Sequence, residues 1–392
     1  MIIINNKNYK VAGIIVECNP FHNGHKKLIK ECKKNADYII AVMSGNYVQR
    51  GEPAIHDKYK RTKELLTNGV DLVIELPVIW CLSSAKYFAT ACIDILNQLN
   101  FVDYLIFGSE SNNIDLLSNI AKIDIDSNNP NIESQSHITY FKSKLKSGLS
   151  YPSALSKIYN CNLKPNDILG VEYIKAINSL KCKVKPICIK RDNSLPTASE
   201  LRQKISHKIT INDYSYILNY KILQSKSYSN QKNIFNIDDI YLMNNDFKNS
   251  ILKFKNYNYS FEKAAYLLNT KNRTLANIKR TFLNMIFNIQ KSDFKNHSHN
   301  NLPKNKYIRI LGFKKSSKYI LKNIKIPFMT SFANSSYKTF INKYPNSKIV
   351  KQCIDNSYIV DSLISKNIFA DDLYYLLSNI NFTESTSKLV VI

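Results

Sequence analysis

Val11-Ala-Gly-Ile-Ile-Val-Glu17-Cys-Asn-Pro-Phe-His22-Asn-Gly24-His25-Lys-Lys-Leu28-Ile-Lys30 is the stretch from which the architecture is read. Its β-branched apolar run predicts a buried strand over 11–17. Asn19-Pro20 ends that run, two histidines flank a glycine, and Leu28, Ile29 and Cys32 supply the apolar positions of a helix over 25–34. The first amides of a helix lack intrahelical partners and its dipole is positive there, so a strand–turn–helix of this kind suits bound phosphate. Gly24, without a Cβ, would let a triphosphate approach the backbone. His22 and His25 would donate hydrogen bonds to oxygens that gain charge as phosphorus is attacked. No Gly-x-x-x-x-Gly-Lys-Ser/Thr occurs, which excludes the P-loop manner of holding phosphate.

Outward from this turn, apolar strands are expected over 37–45, 70–77 and 104–110, with helices over 58–68 and 83–97 between them. Near-continuous apolar strands separated by helices imply an α/β fold with a doubly wound, Rossmann-like parallel sheet, whose ligands bind at the carboxyl ends of the strands. Gly108 falls at such an end, where bare backbone would accept a base or ribose or simply make a turn. Residues 111–160 are polar, with turn signals at 112–113 and 127–130. A helix is then expected from 164, a fifth strand over 184–191, and a helix start at Thr197-Ala-Ser199-Glu-Leu-Arg202. Thr197, Ser199 and Arg202 are candidate phosphate contacts, with simple N-capping as the alternative for the two hydroxyls.

Charge divides the chain. The 392 residues carry 55 Lys/Arg and 30 Asp/Glu, a net +25. Residues 1–200 hold 25 basic and 19 acidic residues, leaving 30 and 11 beyond them, so +19 of the excess lies in the second half. A polyanion partner is expected there, and aromatic residues among the lysines, as in Lys253-Phe-Lys-Asn-Tyr-Asn-Tyr259, suit stacking on unpaired RNA bases. The domains expected are a nucleotide-binding α/β unit over 1–202 and a mostly helical basic unit over 203–392, with helices over 261–268, 272–289 and 371–380 and a loop over 296–306. Arg273 and Arg280, seven apart and on one helix face, are with Lys279 the candidate RNA contacts. His297 and His299 belong to the loop rather than to a metal site. Eight cysteines form no Cys-x-x-Cys pair; the spacing of Cys182 and Cys188 does not match zinc, and all read as reduced core thiols. No metal site and no protein partner are readable. No apolar run approaches the roughly 18 residues of a membrane span, and Met1-Ile-Ile-Ile-Asn-Asn-Lys7 has no signal-peptide pattern, so a cytoplasmic location away from membranes is expected.

The motifs Glu17-x-Asn-Pro-Phe-His-Asn-Gly-His25, Met43-Ser-Gly-x-x-x-Gln-Arg-Gly-Glu-Pro-Ala54, Asp71-Leu-Val-Ile-Glu-Leu-Pro77, Phe107-Gly-Ser-Glu110, Pro165-Asn-x-Ile-Leu-Gly170, Ile189-Lys-Arg191 and Thr197-Ala-Ser-x-x-Arg202 occur in this order. His22-x-Gly-His25 resembles the signature of the nucleotidylyltransferase superfamily, and the whole series resembles the bacterial tRNA(Met) cytidine acetate ligase family. Arg273 to Arg280 and Tyr307 to Phe313 look like that family's C-terminal signatures. The resemblance implies a ligase that activates acetate with ATP to acetyl-adenylate, releasing pyrophosphate, and passes the acetyl group to N4 of the wobble cytidine of elongator tRNA(Met). It further implies an ATP-binding segment of Ile15, Val16, Glu17, Cys18, Asn19, Pro20, Phe21, His22, Asn23, Gly24, His25, Lys26, Lys27 and Leu28, with Gly108, Asn166 and Arg191 as separate ATP contacts. His22 and His25 would be the catalytic pair. Mg²⁺ is expected with ATP, although no acidic cluster is set aside for it. Two other readings stay open: a nucleotidylyltransferase acting on a small coenzyme precursor, which would not need the basic half, and a non-catalytic RNA-binding protein, which would not need the histidines.

Overall fold

The computed structural model describes residues 2–4, 7–122, 163–192, 194–206, 208–227, 235–254, 257–296, 298–299, 302–332, 362–387 and 389–392, with residues 139, 143, 147 and 157 singly. The turn expected at 127–130, Cys161, Cys353 and His297 lie outside the described residues.

β1 (Val11–Val16) and β2 (Tyr38–Ser44) are buried along almost their whole length, and β3 (Leu72–Leu76) entirely. β4 (Tyr104–Ser109) and the more exposed β5 (Lys185–Lys190) complete a parallel set in the order β3-β2-β1-β4-β5. The chain therefore winds outward from β1 first to one side and then to the other. The crevice where the order reverses lies between the carboxyl ends of β1 and β4. α1 (Asn23–Asn35), α2 (Lys58–Thr67), α3 (Ala85–Leu99) and α4 (Pro165–Ser179) connect the strands. Their ends are locally encoded. Asp57 Oδ1 accepts from the amides of Tyr59 and Lys60 at 2.9 and 3.0 Å, Pro165 occupies the first turn of α4, and Asn100 takes the left-handed conformation after α3. Apolar cores form on both faces of the sheet.

The second half is less separate, and less purely helical, than its composition suggests. β6 (Ile308–Phe313) pairs antiparallel with β3, and β7 (Phe328–Met329) and β8 (Val390–Val391) pair parallel with β6, giving an eight-stranded mixed sheet. Residues beyond 202 thus contribute three strands to the sheet begun by the first half. The second-half helices include α6 (Ser215–Ser227) and α7 (Leu275–Ile286), while α8 (Ser362–Leu377) begins well before the helix expected at 371. Ser298–His299 pairs with Leu302–Pro303 where a loop was expected.

A buried knot of charge fastens the halves together. Lys58 Nζ lies 2.7 Å from Glu75, 2.6 Å from Asp371 and 3.1 Å from Glu384, and all four side chains are buried. Arg309, opposite Glu75 in the β6–β3 register, pairs with Glu384 at 3.0 Å. Burial pushes the Asp371 carboxyl well above its usual range, opposed by the Lys58 ammonium. Nearby, Trp80 Nε1 donates to Asn305 Oδ1 at 3.2 Å and the Trp80 ring meets Phe294 edge-on at 5.2 Å.

Candidate active site

The turn after β1 places two imidazoles against each other, ring centres 4.1 Å apart, at the start of α1. His22 Nδ1 accepts the Gly24 amide at 3.0 Å and His25 Nδ1 accepts the His22 amide at 3.2 Å, a reciprocal cap that holds both rings. The phosphate-binding amides expected from the sequence are thus partly used by the protein itself. Gly24 also makes room for its neighbour. A Cβ there would lie 2.7 Å from His22 Cε1, so the close approach it permits is that of the His22 ring.

With Nδ1 of each ring accepting, a neutral imidazole carries its proton on Nε2, which leaves two Nε2–H donors for a bound phosphate. Burial pushes the His25 imidazole down to about 3, aided by His22 and Arg191; burial and then Arg191 lower that of His22. Both rings are therefore neutral donors at pH 7.

Across the crevice, the ends of β4 and β5 form a second wall. The Arg191 amide donates to Ser109 O at 2.9 Å, and the Arg191 side chain lies 3.5 Å from the place a Cβ on Gly108 would take. Glu110 links the distant motifs. It accepts from Asn166 Nδ2 at 2.6 Å and the Asp167 amide at 3.2 Å, and lies 3.5 Å from Arg191 Nη1. Asp167, buried, accepts from Ser109 Oγ at 2.5 Å and Ser111 Oγ at 3.0 Å. Gly108, Asn166 and Arg191 are thus brought together, with Glu110 as an organiser that sequence reasoning passed over. Lys27 reaches the same side through Asp192 at 3.2 Å.

Of the remaining candidates, Thr197 is engaged in a capping box with Glu200 on α5 (Ala198–Lys204), and Ser199 accepts from Arg202 Nη2 at 2.8 Å. Arg202 Nη1 donates to Asn19 O at 2.9 Å, which brings α5 onto the histidine turn. Arg61, also passed over, is buried and donates to His56 O, Glu17 O, Ser44 O and Gly45 O, clamping the ends of β1 and β2.

The Gln49-Arg-Gly-Glu52 block lies under α7. Gly51 has φ +76° and an added Cβ there would meet the Arg280 amide nitrogen at 2.7 Å, so the loop needs glycine twice over, for its turn and for its contact. Lys279 pairs with Glu52 at 2.6 Å, and Arg280 Nη1 donates to Gln49 O at 2.7 Å. Arg273 precedes α7 rather than sharing its face; it donates to Asn244 Oδ1 at 2.8 Å and its guanidinium lies 4.1 Å from the Phe247 ring centre. The three residues expected to reach outward to RNA are held by the protein. Arg50, by contrast, is exposed beside this loop, within the electrostatic reach of Glu17 and Arg202.

Among the described residues, the one carboxylate group close enough to hold a metal ion is Glu75, Asp371 and Glu384, and the Lys58 ammonium already fills it. Among the described residues, six cysteines are free thiols, with Cys18, Cys32, Cys81 and Cys92 buried and Cys182 and Cys188 half-buried. No described helix is long and apolar enough to cross a membrane.

Comparison with known proteins gives the family of the chain. The HIGH Nucleotidyl Transferase family model matches residues 9–208 and again 194–388. The chain is 33% identical over 411 residues to the tRNA(Met) cytidine acetate ligase of Thermoanaerobacter sp. (strain X514), covering 93% of this chain and 95% of that protein. It is 31% identical to the Clostridium perfringens (strain ATCC 13124) protein of the same name, covering 94% and 95%. Among solved structures, Thermotoga maritima TmcAL bound with alpha-thio ATP superposes with a TM-score of 0.81 at 25% identity, covering 98% of this chain and 99% of that one.

Proposed function

The chain belongs to the HIGH nucleotidyl transferase family, among the tRNA(Met) cytidine acetate ligases, and from that premise we propose that it couples ATP to acetylation of tRNA(Met). An acetate oxygen attacks the α-phosphorus of ATP, the bond to the bridging oxygen breaks, and pyrophosphate leaves acetyl-adenylate behind. The N4 amine of the wobble cytidine of elongator tRNA(Met) then attacks the acetyl carbonyl, AMP departs, and the amine sheds a proton to give N4-acetylcytidine. The reaction belongs in the cytoplasm, where its RNA substrate is.

The observation that carries this reading is the pair of neutral imidazoles at the switch point of the sheet, each with Nδ1 satisfied and Nε2–H left to donate. Neutral donors favour the oxygens as their charge grows, without the strong hold on ground-state ATP or product pyrophosphate that cations would exert. In this proposal Ile15 to Leu28 line the nucleotide, and Gly108, Asn166 and Arg191 meet it from the opposite wall. Arg202, anchored on Asn19 O and Ser199 Oγ, brings positive charge to the histidine turn for phosphate, with Thr197 capping its helix. Any Mg²⁺ accompanying ATP would be held chiefly by the triphosphate, which needs no dedicated acidic cage.

For the RNA, the support is charge and exposed aromatics, beside the candidate contacts Arg273, Lys279 and Arg280, each of which also has a protein partner. The second half carries the +19 excess, and α6 presents Tyr216 and Tyr220, 84% and 60% exposed, at a four-residue spacing that puts both on one face. Arg273, Lys279 and Arg280 contribute by shaping this region. The test supplies purified protein with ATP, radiolabelled acetate and elongator tRNA(Met), without acetyl-CoA. Label in N4-acetylcytidine supports the reading. Pyrophosphate release that ignores acetate sinks it in favour of a different acceptor.

A further inference from the structure

α6 carries its apolar residues where a helix ordinarily carries charge. Over 215–226 its fully exposed residues are Tyr216, Tyr220 and Leu223 and no others, the leucine 40% exposed. Spacings of four and seven residues put all three within about 60° of one another around the helix axis, so they form a single outward stripe. A solvent-facing side is normally polar, and two rings and a leucine left on it mark a contact surface.

The helix has no freedom to turn that stripe inward. Leu218, Ile222 and Ser225 are buried on the opposite side, and Asn219 Nδ2 donates to Tyr259 O at 2.8 Å. At its start, Ser215 Oγ accepts the Phe261 amide at 2.9 Å. Just ahead of it, Tyr214 is buried with its hydroxyl 2.7 Å from that of Tyr47, in the segment that follows β2. At the far end, Lys226 Nζ lies 4.9 Å from the centre of another exposed ring, Tyr257. The rings are held out by a helix fixed along its length, which keeps the cost of ordering them on binding low.

Charge says what covers the stripe. Residues 203–292 hold 14 basic and 5 acidic residues. The carboxylates at the start of the helix, Asp213 and Glu262, are engaged by Thr210 and Asn212. A second copy of the chain would set like charge against like across a two-fold interface, whereas RNA supplies negative charge together with flat apolar faces. Paired bases hide those faces in the stack, and a single-stranded loop presents them. We propose that the outward stripe of α6 is the platform on which unpaired bases of the tRNA anticodon loop stack, Tyr216 and Tyr220 taking base faces and Leu223 extending the apolar contact. Stacking of this kind holds a loop without reading its sequence. This inference rests on the tRNA-acetylating reading above and names the surface that receives the loop.

The test uses the full chain with Tyr216→Ala, Tyr220→Ala and the ring-keeping Tyr220→Phe, with melting transitions confirming that each folds. Equilibrium binding is measured for a hairpin of the tRNA(Met) anticodon stem and loop and for a fully paired RNA duplex of the same length, each over a series of salt concentrations. The expected result is hairpin affinity lowered about 5- to 100-fold by each alanine, the range for one lost stacking contact, with Tyr220→Phe within about threefold of wild type. Duplex affinity and the slope of hairpin affinity against salt should stay as in the wild type, because phosphate contacts are untouched. Unchanged hairpin affinity, or an equal loss for hairpin and duplex, overturns the platform. So does a change of oligomeric state in the alanine variants by sedimentation, which would give the stripe to a second copy. Wild-type protein that binds the hairpin no better than the duplex and yields no N4-acetylcytidine would sink the tRNA reading itself, and the platform with it.

Discussion

Two polar clusters flank the sheet's carboxyl edge, and they are finished differently. In the knot around Lys58, the ammonium sits among three carboxylates and Arg309 pairs with one of them, so the strong partners face one another. In the histidine turn, the rings are held by backbone amides through one nitrogen each and keep a donor in reserve. The first cluster spends its charge on holding distant segments together. The second keeps neutral groups oriented for something that arrives later. A polar cluster becomes a site when its geometry is fixed by contacts that do not exhaust it.

The contrast can be broken from the structural side first. Lys58→Met leaves Glu75 and Asp371 buried without their cation, and Glu384 with Arg309 alone, and is expected to cost roughly 3–5 kcal/mol of stability, read by chemical denaturation. If activity fell while stability held, the knot would be part of the site after all. His25→Ala is the opposite case. It should lower acetate-dependent pyrophosphate formation about 10²- to 10³-fold, the usual loss for one stabilising donor, and leave the melting transition nearly in place. A collapse of the fold with no separable catalytic loss would make the imidazole a strut.

The smallest effect concerns pH. His25 stands at about 3 in the folded protein against 6.5 for an ordinary imidazole. Because the folded value is the lower, the His25 contribution to stability is complete above 6.5 and is lost as pH falls from 6.5 toward 3. The catalytic rate should accordingly show no inflection near 6.5 from this residue. An inflection there that disappears in His25→Gln would show a cationic imidazole at work.

Legibility in the sequence followed the range of the interactions. β1 to β5 and the helices between them are announced by apolar periodicity and by caps such as Asp57 and Pro165, because each depends on residues a few positions away. Gly108, Asn166 and Arg191 were marked by resemblance to a family, and the structure adds the physical link among them, Glu110. What stayed hidden is long-range. Ile308–Phe313 reads poorly as a sheet strand because it carries Arg309 in a run otherwise apolar. The reason for that charge, the buried carboxylates and Tyr59, lies on β3, α2 and Glu384, far away in sequence. Likewise, spacing alone put Arg273 and Arg280 on one outward face. The helix begins only at Leu275, and the Gly51 turn, which a seven-residue spacing cannot foresee, draws Arg280 inward.

The antiparallel strand beside β3 also has a consequence for how the molecule comes into being on the ribosome. When β1 to β5 have emerged from the exit tunnel, the nucleotide crevice has all its strands, yet the flank of β3 is open until residue 313 is made. Lys58 and Glu75 then wait for Asp371 and Glu384. Synthesis thus passes through a nascent chain with an uncovered apolar edge and unfinished charge, a natural client for chaperones, and the locked enzyme arises only as translation nears its close.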